Sequence, residues 1–494
     1  MHISMRTRLL LLVFAVAAFL VLAACGRGRH ENGNDLSGCA YNKNESAEST
    51  NVKTLSVTAP QHVMMGTMLM EAGANMRRQM AQEGIDFILD VTVYDHNALE
   101  MHNMRFQTMM MAGIGYDIFM FDGQPLWSFA NSGFLADIYE LIDQDTSVSR
   151  EDFYTHVLEA FEYNGRLISF PLSFGHRYIG VNSSLPQSFI DRFKSYSHIS
   201  MNEIFQIYID LQQKYCADFG HLSLFPLSFI PQNELSFAMG NFIDINERQA
   251  ILTDSAFISF LATLQQTHEL GGFEFHGFWS QIPIASRSTL SGAAALHVFS
   301  TPIFTLDPAL ALFDFEDPYF LHFIPISGMC GGFELIQNRF DPWGSFSISA
   351  SADGPLAWDF IMNLISVKVA HSTPQNQSHF HEPLGTLNTP IHRSYFEYHR
   401  ESTFIHTLSR MQDVGHRFAN MTELAAEDRA IAERQMLEDA MERSRRYNEM
   451  PVAISPFVPS SLYEDILDGL LLGLYTPEDA AQLLQNRVSL WLIE

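Results

Sequence analysis

Cysteine is scarce, at 4 of 494 residues, and lysine supplies only 5 of the 29 basic side chains. No CxxC or Cys/His finger spacing occurs, which excludes a zinc finger. Positive charge is short as well: 29 Lys+Arg face 56 Asp+Glu, a formal net charge of −27. That excludes nucleic acid as a default partner, because phosphate neutralisation needs a basic surface. HExxH, GxSxG, a GxxxxGK[ST] phosphate loop and a complete GxGxxG are all missing, which removes the common zinc-protease, hydrolase and nucleotide-binding readings. What is plentiful is apolar: 47% of residues are hydrophobic and only 17% charged, enough for a large core and unlike a disordered chain.

The amino terminus points to export. Arg6 and Arg8 precede an apolar run, Leu9 to Ala24, of 16 residues, a charged region followed by a hydrophobic one, as in a secretory signal. A spanning helix needs about 20 residues. The run ends Leu22-Ala23-Ala24-Cys25, which resembles the lipobox of bacterial lipoproteins. That resemblance implies removal of residues 1–24 and a lipid on the Cys25 sulfur, and with it attachment to the outer face of the cell membrane. Residues 25–53, rich in Gly, Asn, Ser and Glu, are expected to form a flexible tether. With Cys25 acylated, a disulfide framework is not expected from the remaining three cysteines, although Cys216 with Cys330 is open to an exported protein. No later stretch is long and apolar enough to span a membrane.

Beyond the tether, Leu55–Pro60 and Phe87–Tyr94 pattern as strands, Met64–Gln82 and Leu99–Ala112 as helices, and Asp117–Phe121 as a strand buried on both faces. Alternating strands and helices imply parallel pairing, with ligands at the carboxyl ends of the strands. The residues after Pro60, Tyr94 and Phe121 therefore matter most. Near the end of the chain, Thr476-Pro477-Glu478-Asp479 is a capping box opening a helix with Ala480, Leu483, Leu484, Val488 and Trp491 on one face. Thr422 to Glu449 patterns as a charged amphipathic helix with a solvated outer face.

Several segments carry a family likeness in their order along the chain. Gly115-Tyr116-Asp117-Ile118 followed by Ser132-Gly133-Phe134-Leu135-Ala136-Asp137-Ile138, then Asn164-Gly165-Arg166-Leu167 to Pro171, Val181 to Leu185, Ser291 to Leu296, Phe346 to Ala350 with Ala357-Trp358-Asp359-Phe360-Ile361, and Thr476 to Val488, together resemble extracellular solute-binding proteins of the sugar-importer type. The resemblance implies an α/β, two-lobed type II periplasmic-binding-protein fold with hinge crossovers and a cleft between lobes. The first crossing is expected near Ile168 to Leu172, the second near Phe323 to Ile326 and the third after Val369. Lobe 1 is then 54–168 plus 326–372, and lobe 2 is 169–325 plus 373–494.

The resemblance further implies a lipid-anchored binding protein of an ABC importer, enclosing a solute, most readily a sugar or oligosaccharide, for a membrane permease, without a catalytic group or cofactor. Sugar C–H faces stack on aromatic rings, and hydroxyls need planar donors and acceptors. In the loop after the third strand, Phe121 and Trp127 are candidates for stacking and Asp122 and Gln124 for hydroxyls; the competing reading makes Trp127 core. Gln61 and His62 follow the first strand. At the crossover, His176 and Arg177 are candidates, Arg177 either binding solute or pairing with a carboxylate to fix the hinge. Phe299, Ser300 and Trp343 complete the set, and Trp279 is a lesser candidate. Two other classes compete. Metal capture rests on the crowding of His371, His379, His381, His392 and His399 and on the run Met64, Met65, Met68 and Met70, although Met runs are usually core filler. A secreted carbohydrate-active enzyme would need two carboxylates about a sugar cleft, and carboxylates are abundant.

Overall fold

A computed structural model describes residues 51–60, 63–94, 99–120, 126–175, 177–182, 187–219, 224, 231–273, 296–299, 320–329, 333–334, 345–371, 389–396, 438, 442, 445–446, 448–453 and 458–493. Residues 51–494 form one compact unit. The expected signal segment, Cys25 and nearly all of the tether lie outside the described residues, as do Cys330, His379, His381, His399 and most of the helix expected over Thr422 to Glu449.

The amino-terminal part builds the first sheet. Strand β1 (Val52–Pro60) is followed by helix α1 (Val63–Gln82), β2 (Asp86–Tyr94), α2 (Leu99–Met111) and β3 (Ile118–Met120). β1 begins two residues inside the stretch expected to be tether, because Val52 and Lys53 already pair with Asp86 and Phe87. Both β2 and β3 run parallel to β1, with Pro60 opposite Tyr94 and Thr58 opposite Phe119. In α1 the buried Met68, Leu69, Ala72 and Met76 recur at helical spacing and face the sheet. Helices α1 and α2 are both stopped by glycine: Gly84 (φ 72°) and Gly113 (φ 69°) take the left-handed conformation, and the next amides, of Ile85 and Ile114, bond back to the Met80 and Met109 carbonyls at 3.0 Å each.

Helices α3 (Leu126–Asn131), α4 (Ile138–Gln144) and α5 (Thr155–Leu158) lead to β4 (Phe170–Pro171) and β5 (Ser173–Phe174). The second sheet starts at β6 (Tyr178–Asn182) and takes in β7 (Ile199–Ser200) before α6 (Met201–Phe219), α7 (Pro231–Gly240) and α8 (Ser255–Glu269). β8 (Leu296–Phe299), β9 (Phe320–Ser327) and β10 (Phe333–Glu334) continue it. The chain then returns to the first sheet at β11 (Ser345–Ile348), followed by α9 (Gly354–His371), β12 (Thr389–Pro390), β13 (Val452–Ala453), α10 (Glu464–Leu471) and α11 (Pro477–Ile493).

The first sheet has the order β2-β1-β3-β11-β4 and the second β8-β6-β9-β10-β13, with β7 also paired to β9. Two hydrophobic clusters form the core. One gathers Leu55, Val57, Ile118, Phe346, Ile348 and Trp358 about the first sheet; the other gathers Ile179, Val181, Phe205, Phe257, Phe260, Leu484 and Val488 about the second and also takes in Phe106, Phe119 and Trp127 from the amino-terminal part. The first crossing lies between Pro171 and Tyr178. β9 stays in the second sheet through Ser327, with Ile324 opposite Ile179 and Ile326 opposite Ile199. Its apolar run is a central strand of that sheet, where the resemblance implied a crossing.

The motif residues serve this architecture. The Asp117 carboxylate accepts the Ser56 amide at 2.8 Å and the Ser56 hydroxyl at 2.7 Å, fixing β3 against β1. Asp137 caps α4 by accepting the Tyr139 amide at 3.0 Å and also takes the Leu167 amide at 3.1 Å. Trp358 is buried and its indole donates to Asp145 at 2.9 Å. Thr476 and Asp479 form the expected capping box, the Asp479 amide donating to the Thr476 hydroxyl at 3.1 Å and the Thr476 amide to the Asp479 carboxylate at 3.4 Å.

Candidate functional site

The three parallel strands end at one edge of the first sheet, at Pro60, Tyr94 and Met120. The antiparallel β11 begins there, because Phe346 lies opposite Met120. β4 ends there too, with Pro171 opposite Ser345. Chain continuity thus leads from this one edge into Gln61 and His62, into Phe121, Asp122 and Gln124, back to Trp343, and into the crossover that carries His176. These candidates, with Ser300 and Trp279, lie outside the described residues.

The second sheet presents a matching edge. β6 starts at Tyr178, which is opposite both Phe299 at the end of β8 and Pro325 near the end of β9. The backbone of Phe299 is therefore brought beside the crossover that delivers Arg177, although 122 positions separate the two in sequence. The Arg177 carbonyl accepts the Ile326 amide at 2.8 Å, securing the entry into this sheet.

Arg177 itself is 3% exposed. Its guanidinium pairs with Glu234 of α7 and lies over the Phe237 ring, 4.4 Å from the centroid. Of the two expected roles, this geometry supports the carboxylate pairing. The other carboxylate oxygen of Glu234, Oε2, is buried without a hydrogen-bond partner among the described residues. Sequence reasoning missed Glu234: it sits in an ordinary helical stretch, 57 residues from its partner, with no motif around it. Trp127 is also buried, at 6% exposure, and meets Trp491 of α11 edge-on at 4.6 Å. It follows the core reading and ties helix α3 to α11.

Sequence reasoning also missed an aromatic ladder at the first edge. Tyr94, the last residue of β2, donates its hydroxyl to the Met120 carbonyl at 3.3 Å. His102 of α2 stacks on the Tyr94 ring at 3.9 Å with the planes 16° apart, and Phe106 continues the stack at 6.3 Å. Burial, aided by the positive charge of Arg105, holds the His102 imidazole below its ordinary pKa. The spacing of Leu99, His102 and Phe106 shows a helix face, but the Tyr94 partner emerges only when β2 is laid beside β3.

Among the described residues no three His, Cys, Asp or Glu side chains gather to hold a metal ion. His392, from the His-rich region, is 9% exposed and packs edge-on against Phe153 at 5.1 Å. No helix of the described residues is long and apolar enough to cross a membrane.

No family model matches the sequence, and no curated protein does. Solved structures do match the fold. The sugar-binding protein MalE from Xanthomonas citri superposes with a TM-score of 0.57 at 16% identity, covering 89% of this chain and 98% of that one. An ABC substrate-binding protein from Listeria monocytogenes, in complex with cycloalternan, gives 0.52 at 13% identity, covering 89% and 98%. An extracellular solute-binding protein of family 1 from Alicyclobacillus acidocaldarius gives 0.51 at 12%, covering 90% and 100%. The chain has the two-lobed type II periplasmic-binding-protein fold of the extracellular solute-binding proteins of family 1.

Proposed function

We propose that this chain is a non-enzymatic, lipid-anchored substrate-binding protein of an ABC importer, capturing a carbohydrate between its lobes and passing it to permease subunits. The observation that carries this reading is the convergence of strand ends. Four strands of the first sheet end at one edge and a fifth begins there, and the crossover from it enters the second sheet beside Phe299. Gln61, His62, Phe121, Asp122, Gln124, His176, Phe299, Ser300 and Trp343 then face the solute. Arg177 acts as a structural anchor for the crossover through Glu234, and Trp127 packs behind the site. Known proteins of this fold that bind an oligosaccharide, such as the cycloalternan complex, support the solute class.

The lobes of this proposal follow the expected division at 168/169 and 372/373. The second boundary moves from 325/326 to within 335–344, because β9 and β10 pair inside the second sheet and β11 inside the first. Lipidation at Cys25 places the protein on the extracytoplasmic face. Ligand binding to the native state alone raises stability by about 2.7 kcal/mol at a hundred times Kd. A thermal-shift screen of the full-length protein against mono- and oligosaccharides, Zn and Cu is therefore decisive. A shift with an oligosaccharide, recovered unchanged, is expected. Sugar turnover, or shifts with metals alone, overturns the reading.

A further inference from the structure

His102 occupies a place with no evident structural purpose for its nitrogens. The ring is half-buried, clamped face-to-face on Tyr94, and no hydrogen bond among the described residues reaches it. Tyr94 cannot swing away freely, since its hydroxyl is bonded to the backbone of the neighbouring strand end. A phenylalanine would stack there equally well, so packing alone does not call for a side chain with two polar ring atoms. The position is the carboxyl edge of parallel strands, where α/β sheets of this kind hold their ligands. The charged or titratable side chains seen to face it are Arg105 on its own helix and Tyr94 on β2. Neither of these is a carboxylate that would favour an imidazolium.

We propose that His102, oriented by Tyr94, is a solute-contacting residue of the first lobe, its neutral imidazole giving one hydrogen-bond donor and one acceptor to adjacent hydroxyls of a carbohydrate. This assignment rests on the carbohydrate-binding reading above. Because a protonated ring loses its acceptor, His102 also makes capture sensitive to acid, on a surface exposed to whatever pH lies outside the cell.

The test is calorimetric titration of the full-length protein with maltotriose and raffinose, with wild type compared to H102A and H102Q. At neutral pH, H102A should bind about tenfold more weakly, the worth of one hydrogen bond to a polar ligand. As the pH falls from about 7.5 to about 5, wild type should lose affinity and H102Q, whose amide keeps a donor and an acceptor at all pH, should not. Thermal melts confirm that each variant is folded, and H102Q carries the test where H102A is not. H102A affinity within about twofold of wild type, or parallel acid losses in wild type and H102Q, overturns the assignment while leaving the functional reading intact. If neither sugar nor any other carbohydrate binds wild type, the functional reading falls, and this assignment with it.

Discussion

Removing either member of the Arg177–Glu234 pair should be among the costliest single changes about the second sheet. Both side chains are under 5% exposed, so a partner left alone cannot recover its hydration. Breaking such a buried pair costs about 3–5 kcal/mol. Each truncation strands one charge in the same buried place, so both should be severe. Replacing the pair together, as R177M/E234L, should cost far less than the sum of the single changes, because no buried charge remains. Urea denaturation measures all three. A cost below about 1 kcal/mol for both single variants, the range of a surface pair, would refute the argument that burial gives this interaction its weight.

Other buried groups carry expected outcomes of their own. His102, His156 and His392 are all held below the ordinary histidine value of 6.5, burial being the first cause in each. Their neutral forms favour the fold, so stability is full above about 6.5 and should fall as pH drops through the lowered folded values; an unfolding free energy constant from about pH 7.5 to about pH 5 would contradict this. Asp143, Asp145, Asp152 and Asp465 are held below 3.8 and lose their contribution only in stronger acid. Trp127→Ala should cost about 3–5 kcal/mol in stability by denaturation, while a purely ligand-stacking tryptophan would cost little. Gly84→Ala meets no steric obstacle but forces a side chain onto a φ of 72°, and should cost about 1–2 kcal/mol in the same assay. C25S should move the protein from the membrane fraction to the soluble fraction; equal membrane retention of wild type and variant would remove the lipid from the proposal.

The sequence was legible where structure is local. The capping box at Thr476 and the strand–helix alternation from Leu55 to Phe119 both depend on residues a few positions apart. Family motifs were legible too, but as architecture: Asp117 and Asp137 hold strands and a helix end, and neither was a guide to ligand. Pairings across the chain were not legible. Arg177 with Glu234, Trp127 with Trp491, and Tyr94 with His102 depend on which elements the topology lays side by side. The resemblance implied a crossing at Phe323 to Ile326, and an apolar run fits a hinge strand and a central strand equally; only the pairing of Ile324 with Ile179 separates them.

The edge-on contact between Trp127 and Trp491 also bears on the order of folding. The first sheet's parallel strands are made from residues synthesised early, yet Trp127, in the helix that follows β3, meets its partner ring only in the last turn of α11. The first strands can pair early, but this seam closes only once Trp491 has been made.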